Sequence, residues 1–269
     1  MRIMVLNQTP EDPTNGEYAE RVIPILRSYA SPGTEVDLCF PDDYPGAALS
    51  QVMNSQGIRS ELDYHVSTPA LIKKIVWAQQ NGYDAVVQSN NFDPGVEAAR
   101  FAVRIPVIGI CRTSVHVAAS LADRIGITVP FDHYALLTRR LLQSYGLLHH
   151  VIDIRSMALG GVPRGEQVAV QRPIIFERAV EQMRALARET GAECIVPLGG
   201  AVIPYIVSPV DLEREVGVPV LNPKAIGIYV AEMCVRGGMS QSPIAYPAPR
   251  LVAEDFEAFA HAPAGAGRA

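Results

Sequence analysis

The sequence predicts an α/β protein of two pseudo-symmetric lobes, each a doubly wound parallel sheet, with the active site between them. Three observations carry this. Short apolar runs alternate with amphipathic segments along most of the chain, the βα order that builds parallel sheets with right-handed crossovers. A block of one form occurs twice, first from Gly82-Tyr83-Asp84-Ala85-Val86-Val87 to Ile105-Pro106-Val107-Ile108. Its second copy runs from Gly191-Ala192-Glu193-Cys194-Ile195-Val196 to Gly217-Val218-Pro219-Val220-Leu221. Finally, 269 residues with 48% hydrophobic side chains suffice for one large or two small cores. Two such lobes face to face bring their strand ends into one cleft, where small ligands bind.

Taken in order, Arg2 to Asn7 reads as a strand broken by Asn7-Gln8-Thr9-Pro10. Glu17 to Tyr29 carries apolar residues at Ala19, Val22, Ile23, Ile25 and Leu26, the spacing of an amphipathic helix. Ser31-Pro32-Gly33 stops it before a strand over Thr34 to Phe40. Pro41 to Gly57 is Pro/Gly-rich and irregular, a lid or loop. Thr68-Pro69 reads as an N-cap and N1 pair opening a helix to Asn81. Tyr83 to Gln88 is an apolar strand ending in Ser89-Asn90-Asn91, then an Asp93-Pro94-Gly95 turn and a helix from Val96.

Arg104 to Ile110 reads as the fourth strand, with Thr113 or Ser114 capping a helix over Val115 to Asp123. Arg124 to Val129 is a strand, Leu136 to Tyr145 a helix, and His150 to Arg155 a strand. A loop with Gly160-Gly161-Val162-Pro163 precedes a long helix over Arg172 to Thr190. Glu193 to Leu198 is a strand running into Gly199-Gly200. A short helix (Asp211 to Val216), a strand (Val218 to Leu221) and a closing helix (Pro223 to Arg236) follow. From Gly237 the composition turns to Pro, Gly and Ala, an arm or disordered tail. The lobes divide as 1–112 plus 222–250 and 113–221, with 251–269 as the tail.

The net charge of −5 and the lack of any basic run exclude nucleic acid and anionic membrane surfaces as expected partners. No apolar stretch is long enough to span a bilayer, and Met1 to Leu6 reads as a strand, not a signal peptide. Cys39, Cys111, Cys194 and Cys234 lack CxxC spacing and placed His partners, so neither zinc nor a disulfide frame is expected, and a reducing cytoplasm fits. There is no GxGxxG, GxxxxGK[ST] or GxSxG, so nucleotide-binding and serine-hydrolase readings have no support.

An ordered set of segments resembles the hydantoin and allantoin racemase branch of the aspartate/glutamate racemase superfamily. The segments are Val5-Leu6-Asn7, Gly82 to Gly95 ending in Asp93-Pro94-Gly95, and Pro106-Val107-Ile108-Gly109-Ile110. Arg124-Ile125-Gly126-Ile127-Thr128-Val129, Leu141-Leu142-Gln143-Ser144-Tyr145-Gly146-Leu147, Leu198-Gly199-Gly200-Ala201 and Gly217-Val218-Pro219-Val220 continue it. The similarity spans most of residues 1–235. It implies an Asp/Glu racemase-like fold with a cofactor-free site between the lobes. The resemblance further implies racemisation by two cysteines, one on each face of a planar intermediate. Here the first family cysteine is matched by Asn90 and the second by Gly200, with Gly199 one residue away. An arylmalonate decarboxylase relative works with the second thiol alone, and that one too is replaced.

Candidate catalytic residues are therefore Asn90, Asp93, Cys111, His116 and His133. Asp93 offers a carboxylate at the cleft mouth, or else an Asx-type turn or a cap for the next helix. Asn90 and Asn91 can donate to a carboxylate or a developing oxyanion. Cys111 sits before a helix N-terminus that favours a thiolate, although a buried thiol is the alternative. His116 in the first turn of that helix and His133 after the Val129-Pro130 strand end could act as bases at neutral pH. Candidate substrate-binding residues are Asn7, Gln8, Thr9, Ser89, Asn91, Arg112, Thr113, Ser114, Gly199 and Gly200. Arg112 could hold a carboxylate with two hydrogen bonds, and the glycine pair could form an anion nest or make room for a ligand.

The expectation is an enzyme on a small carboxylate, cyclic amide or ureide that works without two-cysteine racemisation, by hydrolysis, decarboxylation or isomerisation. The alternatives are a racemase with non-standard acid/base residues and a binding paralogue without turnover. A metal-dependent hydrolase lacks any ligand spacing. The expected partner is a small-molecule substrate, with a homo-oligomer compatible with the resemblance.

Overall fold

In a computed structural model that describes residues 1–11, 16–42, 61–247 and 252–255, the chain builds two all-parallel sheets. The first has strand order β2-β1-β3-β4, from β1 (Arg2–Leu6), β2 (Glu35–Cys39), β3 (Ala85–Gln88) and β4 (Val107–Gly109). Between them run α1 (Gly16–Ser28), α2 (Glu61–Gln80) and α3 (Val96–Ala102). A linking helix, α4 (Ile110–Ala119), leads to the second lobe.

There β5 (Ile125–Val129), α5 (Asp132–Ser144), β6 (Val151–Ser156), α6 (Gln167–Thr190), β7 (Cys194–Pro197) and α7 (Pro209–Val216) form a sheet of order β6-β5-β7. The closing helix α8 (Pro223–Arg236) packs back on the first sheet through Ile228 and Ala231.

Period-two alternation sorts each strand between two layers. Met4, Leu6 and Val86 face α2 and α3, while Ile3, Val5 and Val87 face α1 and α8. In the second lobe Ile195 faces α6 and α7, whereas Ile125, Ile127 and Val196 pack with α4 and α5. Each fully buried Ile or Leu contributes about 1.5–3 kcal/mol. Both faces of both sheets are thus covered, as the near-continuous apolar strands require.

Several boundaries differ from the sequence reading. Prolines expected at helix starts lie inside longer helices: Pro69 within α2 and Pro173 within α6. Proline forfeits one backbone hydrogen bond in an interior position, and here the helix continues past it. The helix expected from Val115 starts at Ile110, so Thr113 and Ser114 lie inside α4 and His116 falls in its last turn, not its first. The reason is a distant cap, described below. Likewise α5 opens at Asp132 instead of Leu136, β4 holds only Val107–Gly109, and 218–221 reduces to one bridge between Ile195 and Val220.

After α8, residues 237–247 run along the first lobe. Gln241 donates to the Val103 and Ile105 carbonyls at 2.7 and 3.0 Å, and the Tyr246 hydroxyl donates to Glu97 at 2.9 Å. Residues 43–57 of the stretch read as a lid, and most of the tail, fall outside the described residues. Among the described residues no helix is long and apolar enough to cross a membrane.

Candidate active site

Parallel register brings the carboxyl ends of both sheets together. Leu6 pairs with Gln88, so Asn7 emerges beside Ser89, whose N–H donates to the Leu6 carbonyl at 2.9 Å. On the other lobe the Leu198 N–H donates to Thr128 at 2.8 Å, which sets Gly199 near Pro130. The cleft between these ends has a volume of about 130 Å³. Sites for drug-sized ligands span roughly 300–1,000 Å³, so this one admits a compact molecule. The first lobe supplies Asn7, Tyr18, Ser89, Asn90, Asn91, Phe92 and Lys224. Opposite stand Pro130, Phe131, Tyr134, Val162 and the turn Gly199-Gly200-Ala201.

The turn after β3 is held by its own amides. The Asn90 Oδ1 accepts from the Phe92 N–H at 2.9 Å, an Asx turn, and its Nδ2 donates to Gln8 Oε1 at 2.5 Å. Asn90 is therefore tied into the cleft wall. Asn91 is different: its Oδ1 is buried with no hydrogen-bond partner among the described residues. A buried orphan acceptor costs about 1–3 kcal/mol, and this one borders the cleft. The Asn91 amide also reaches across to the other lobe. A Cβ added at Gly200 would lie 3.2 Å from Nδ2 and 3.3 Å from Oδ1.

Lys224 was absent from the sequence candidates. It is 2% exposed, and its ammonium donates to the Ser89 carbonyl. Its Nζ lies 5.6 Å from the centre of the Tyr205 ring, and no ion pair reaches it among the described residues. Burial lowers its pKa to about 7, against an opposing pull from Asp93. Two features of α8 put it there. Asn222 caps the helix, accepting from the Lys224 and Ala225 N–H groups at 3.1 and 3.2 Å. Gly227, one turn on, lets α8 press against the sheet: a Cβ there would meet Val87 at 2.8 Å and Ile110 at 2.9 Å. One sequence signal pointed to Lys224. A cation in the first turn of a helix sits at the positive end of its dipole, where lysine is disfavoured.

Asp93 does not line the cleft. It is buried at φ 46°, and its carboxylate accepts from the Cys111 and Arg112 N–H groups at 2.9 and 3.0 Å and from the Tyr145 hydroxyl at 3.2 Å. It caps α4 from 18 residues away, which is why that helix opens early. Gly109 makes room for it, since a Cβ there would sit 2.5 Å from the carboxylate carbon. Burial pushes the Asp93 pKa up to about 6, with the backbone N–H groups opposing.

The other candidates lie elsewhere. Cys111 is fully buried in the second-lobe core and its thiol pKa is pushed well up by burial, which removes it as a thiolate. Arg112 pairs with Glu97 at 3.1 Å and sits over the Tyr145 ring. His116 is exposed, with its pKa lowered by partial burial, then by Arg112 and His150. His133 is exposed and stacks parallel to Phe131, with centroids 5.7 Å apart. Gln8, Thr9, Thr113 and Ser114 are outside the cleft lining, although Gln8 braces Asn90 from behind. None of Cys39, Cys111, Cys194 and Cys234 lines the cleft. Among the described residues no cluster of three His, Cys, Asp or Glu could hold a metal.

Residues 14–231 match the model of a family described as Asp/Glu/Hydantoin racemase. A hydantoin racemase of Pseudomonas sp. (strain NS671) is 30% identical over 197 residues, which are 72% of this chain and 76% of that protein. Among solved structures, an allantoin racemase from Klebsiella pneumoniae superposes with a TM-score of 0.74 at 25% identity, covering 93% of this chain and 94% of its own. An allantoin racemase from Pseudomonas fluorescens gives 0.77 at 24%, covering 93% and 98%, and bears on the fold alone.

Proposed function

This chain belongs to the Asp/Glu/hydantoin racemase family, and we propose that it is an enzyme acting on a small cyclic amide, ureide or carboxylate by chemistry that uses no pair of thiols. Hydrolysis, decarboxylation and isomerisation are the reactions open to it. One observation carries the reading: the inter-lobe cleft is lined by amides, phenols and one lysine, while all four cysteines lie elsewhere.

Racemisation needs a proton acceptor on one face of the reacting carbon and a donor on the other. The wall at Gly199-Gly200-Ala201 offers backbone only. The orphan Oδ1 of Asn91 supports an amide or ureide, whose N–H would satisfy it. The small volume supports a compact ring or a short acid.

The test uses enantiopure allantoin, 5-methylhydantoin and aspartate, followed by polarimetry and product analysis in D2O. The expected outcome is turnover without inversion of the remaining substrate. Inversion with uptake of α-deuterium would overturn the proposal. Ligand-induced shifts in melting temperature with no turnover of any compound would decide for a binding protein instead.

A further inference from the structure

The geometry points to Lys224 as the proton-transfer residue of this cleft, working on one face of a substrate that carries a C–H bond next to a carbonyl. The inference rests on the proposed function above and deepens it. Lys224 is the cleft group whose surroundings strip it of charge: it is buried, its one hydrogen bond is to a neutral carbonyl, and no carboxylate pairs with it among the described residues. An ammonium so placed loses more hydration than one carbonyl and a ring face return, and a desolvated lysine becomes a base at neutral pH. The lowered pKa agrees with that.

The titratable groups around it are few. Asp93, in the turn after β3, favours its charged form but is engaged with α4. Tyr205 offers its ring face, and Tyr18, whose pKa burial raises to about 12, stacks edge-on against Tyr205. Tyr134 is the phenol of the facing lobe and packs edge-on against Phe92.

In the reaction the amine lone pair takes the proton of the C–H bond, and the bonding pair moves into the carbonyl to give an enolate oxygen. Asn91, which lines the cleft, offers its Nδ2 as a donor to such an oxygen. The resulting ammonium then returns a proton to the same face of the carbon, and Lys224 ends as it began. With backbone alone at the facing Gly199-Gly200 turn, one face of the carbon exchanges and the other does not.

Hydantoin and the monomethyl ester of malonate each carry a CH2 with two prochiral hydrogens, so they count faces directly. Incubated with the intact enzyme in D2O, each reacting probe is expected to gain one deuterium and stop. Lys224→Met is expected to lower the exchange at least about 100-fold, with its fold checked by circular dichroism and Lys224→Arg as a second variant. In parallel, trace acetylation by acetic anhydride between pH 5 and 11 reads the amine itself, with half-reactivity expected near neutral pH. Two deuteriums, exchange that survives Lys224→Met, an amine that titrates above pH 10, or one that is never acetylated would each overturn the assignment. So would inertness of both probes. Exchange of the malonate half-ester but not hydantoin upholds Lys224 and rejects the ureide class proposed above.

Discussion

Replacing Asp93 separates a structural carboxylate from a chemical one. In Asp93→Ala the Cys111 and Arg112 N–H groups lose their acceptor at the buried start of α4, and the Tyr145 hydroxyl loses its partner. Buried groups left unsatisfied cost about 1–3 kcal/mol each. An alanine held at φ 46° adds about 1 kcal/mol that Asp93→Gly avoids. At pH 4 we expect Asp93→Ala to lose about 4 kcal/mol or more in all, Asp93→Gly about 1 kcal/mol less, and Asp93→Asn, which keeps an acceptor and tolerates the left-handed region, about 1–2 kcal/mol.

Urea unfolding followed by fluorescence reads this through the single tryptophan, Trp77, which packs on the first-lobe core. The pH dependence is a second signature. The folded pKa of about 6 exceeds the ordinary 3.8, so the folded state holds the extra proton between those values. Stability from this group is complete below about pH 4 and is lost as pH rises through 6, a change of about 3 kcal/mol that Asp93→Asn abolishes. The cost of Asp93→Asn therefore shrinks from pH 4 and turns into a gain by pH 7. An Asp93→Ala protein within 1 kcal/mol of wild type at pH 4, yet devoid of turnover, would refute the capping role and return Asp93 to the chemistry.

Lys224→Met should be more stable relative to wild type at pH 7 than at pH 9. The unfolded amine is charged throughout, while the folded one is neutral above about 7, so wild-type stability falls as pH drops through that window; paired thermal melts at the two pH values check it. Gly227→Ala drives a methyl group into Val87 and Ile110 and should cost about 1–3 kcal/mol by urea unfolding. It should also shift the acetylation midpoint of Lys224, because α8 can no longer lie as close. Tyr145→Phe removes one hydrogen bond to Asp93 and should cost about 1 kcal/mol by chemical denaturation; an unchanged midpoint would show that the bond contributes nothing.

The two lobes were legible because they are written in local pattern. Apolar runs at Ile3 to Leu6, Ala85 to Val87 and Ile125 to Val129 alternate with helical spacing, and the repeated block announces the second sheet. The strand-end residues Asn7, Ser89, Asn90, Asn91, Gly199 and Gly200 reach the cleft for the same reason: parallel register fixes where carboxyl ends go. Which helix Asp93 caps was not legible, because its partners are N–H groups 18 and 19 residues away, which no local window holds. The start of α4 was misplaced by that same bond. Lys224 escaped because α8 returns from the far end of the chain, and its single local mark, a cation in an opening helical turn, is a faint one.

The crossing of Asn91 over Gly200 ties the two lobes together. Any residue with a side chain at 200 would press on the amide at 3.2–3.4 Å before it touched a ligand. A cysteine placed there needs the Asn91 amide to give by a few tenths of an ångström, which moves the unsatisfied oxygen that borders the cleft. Substitutions at 91 and 200 are therefore non-additive across the lobes.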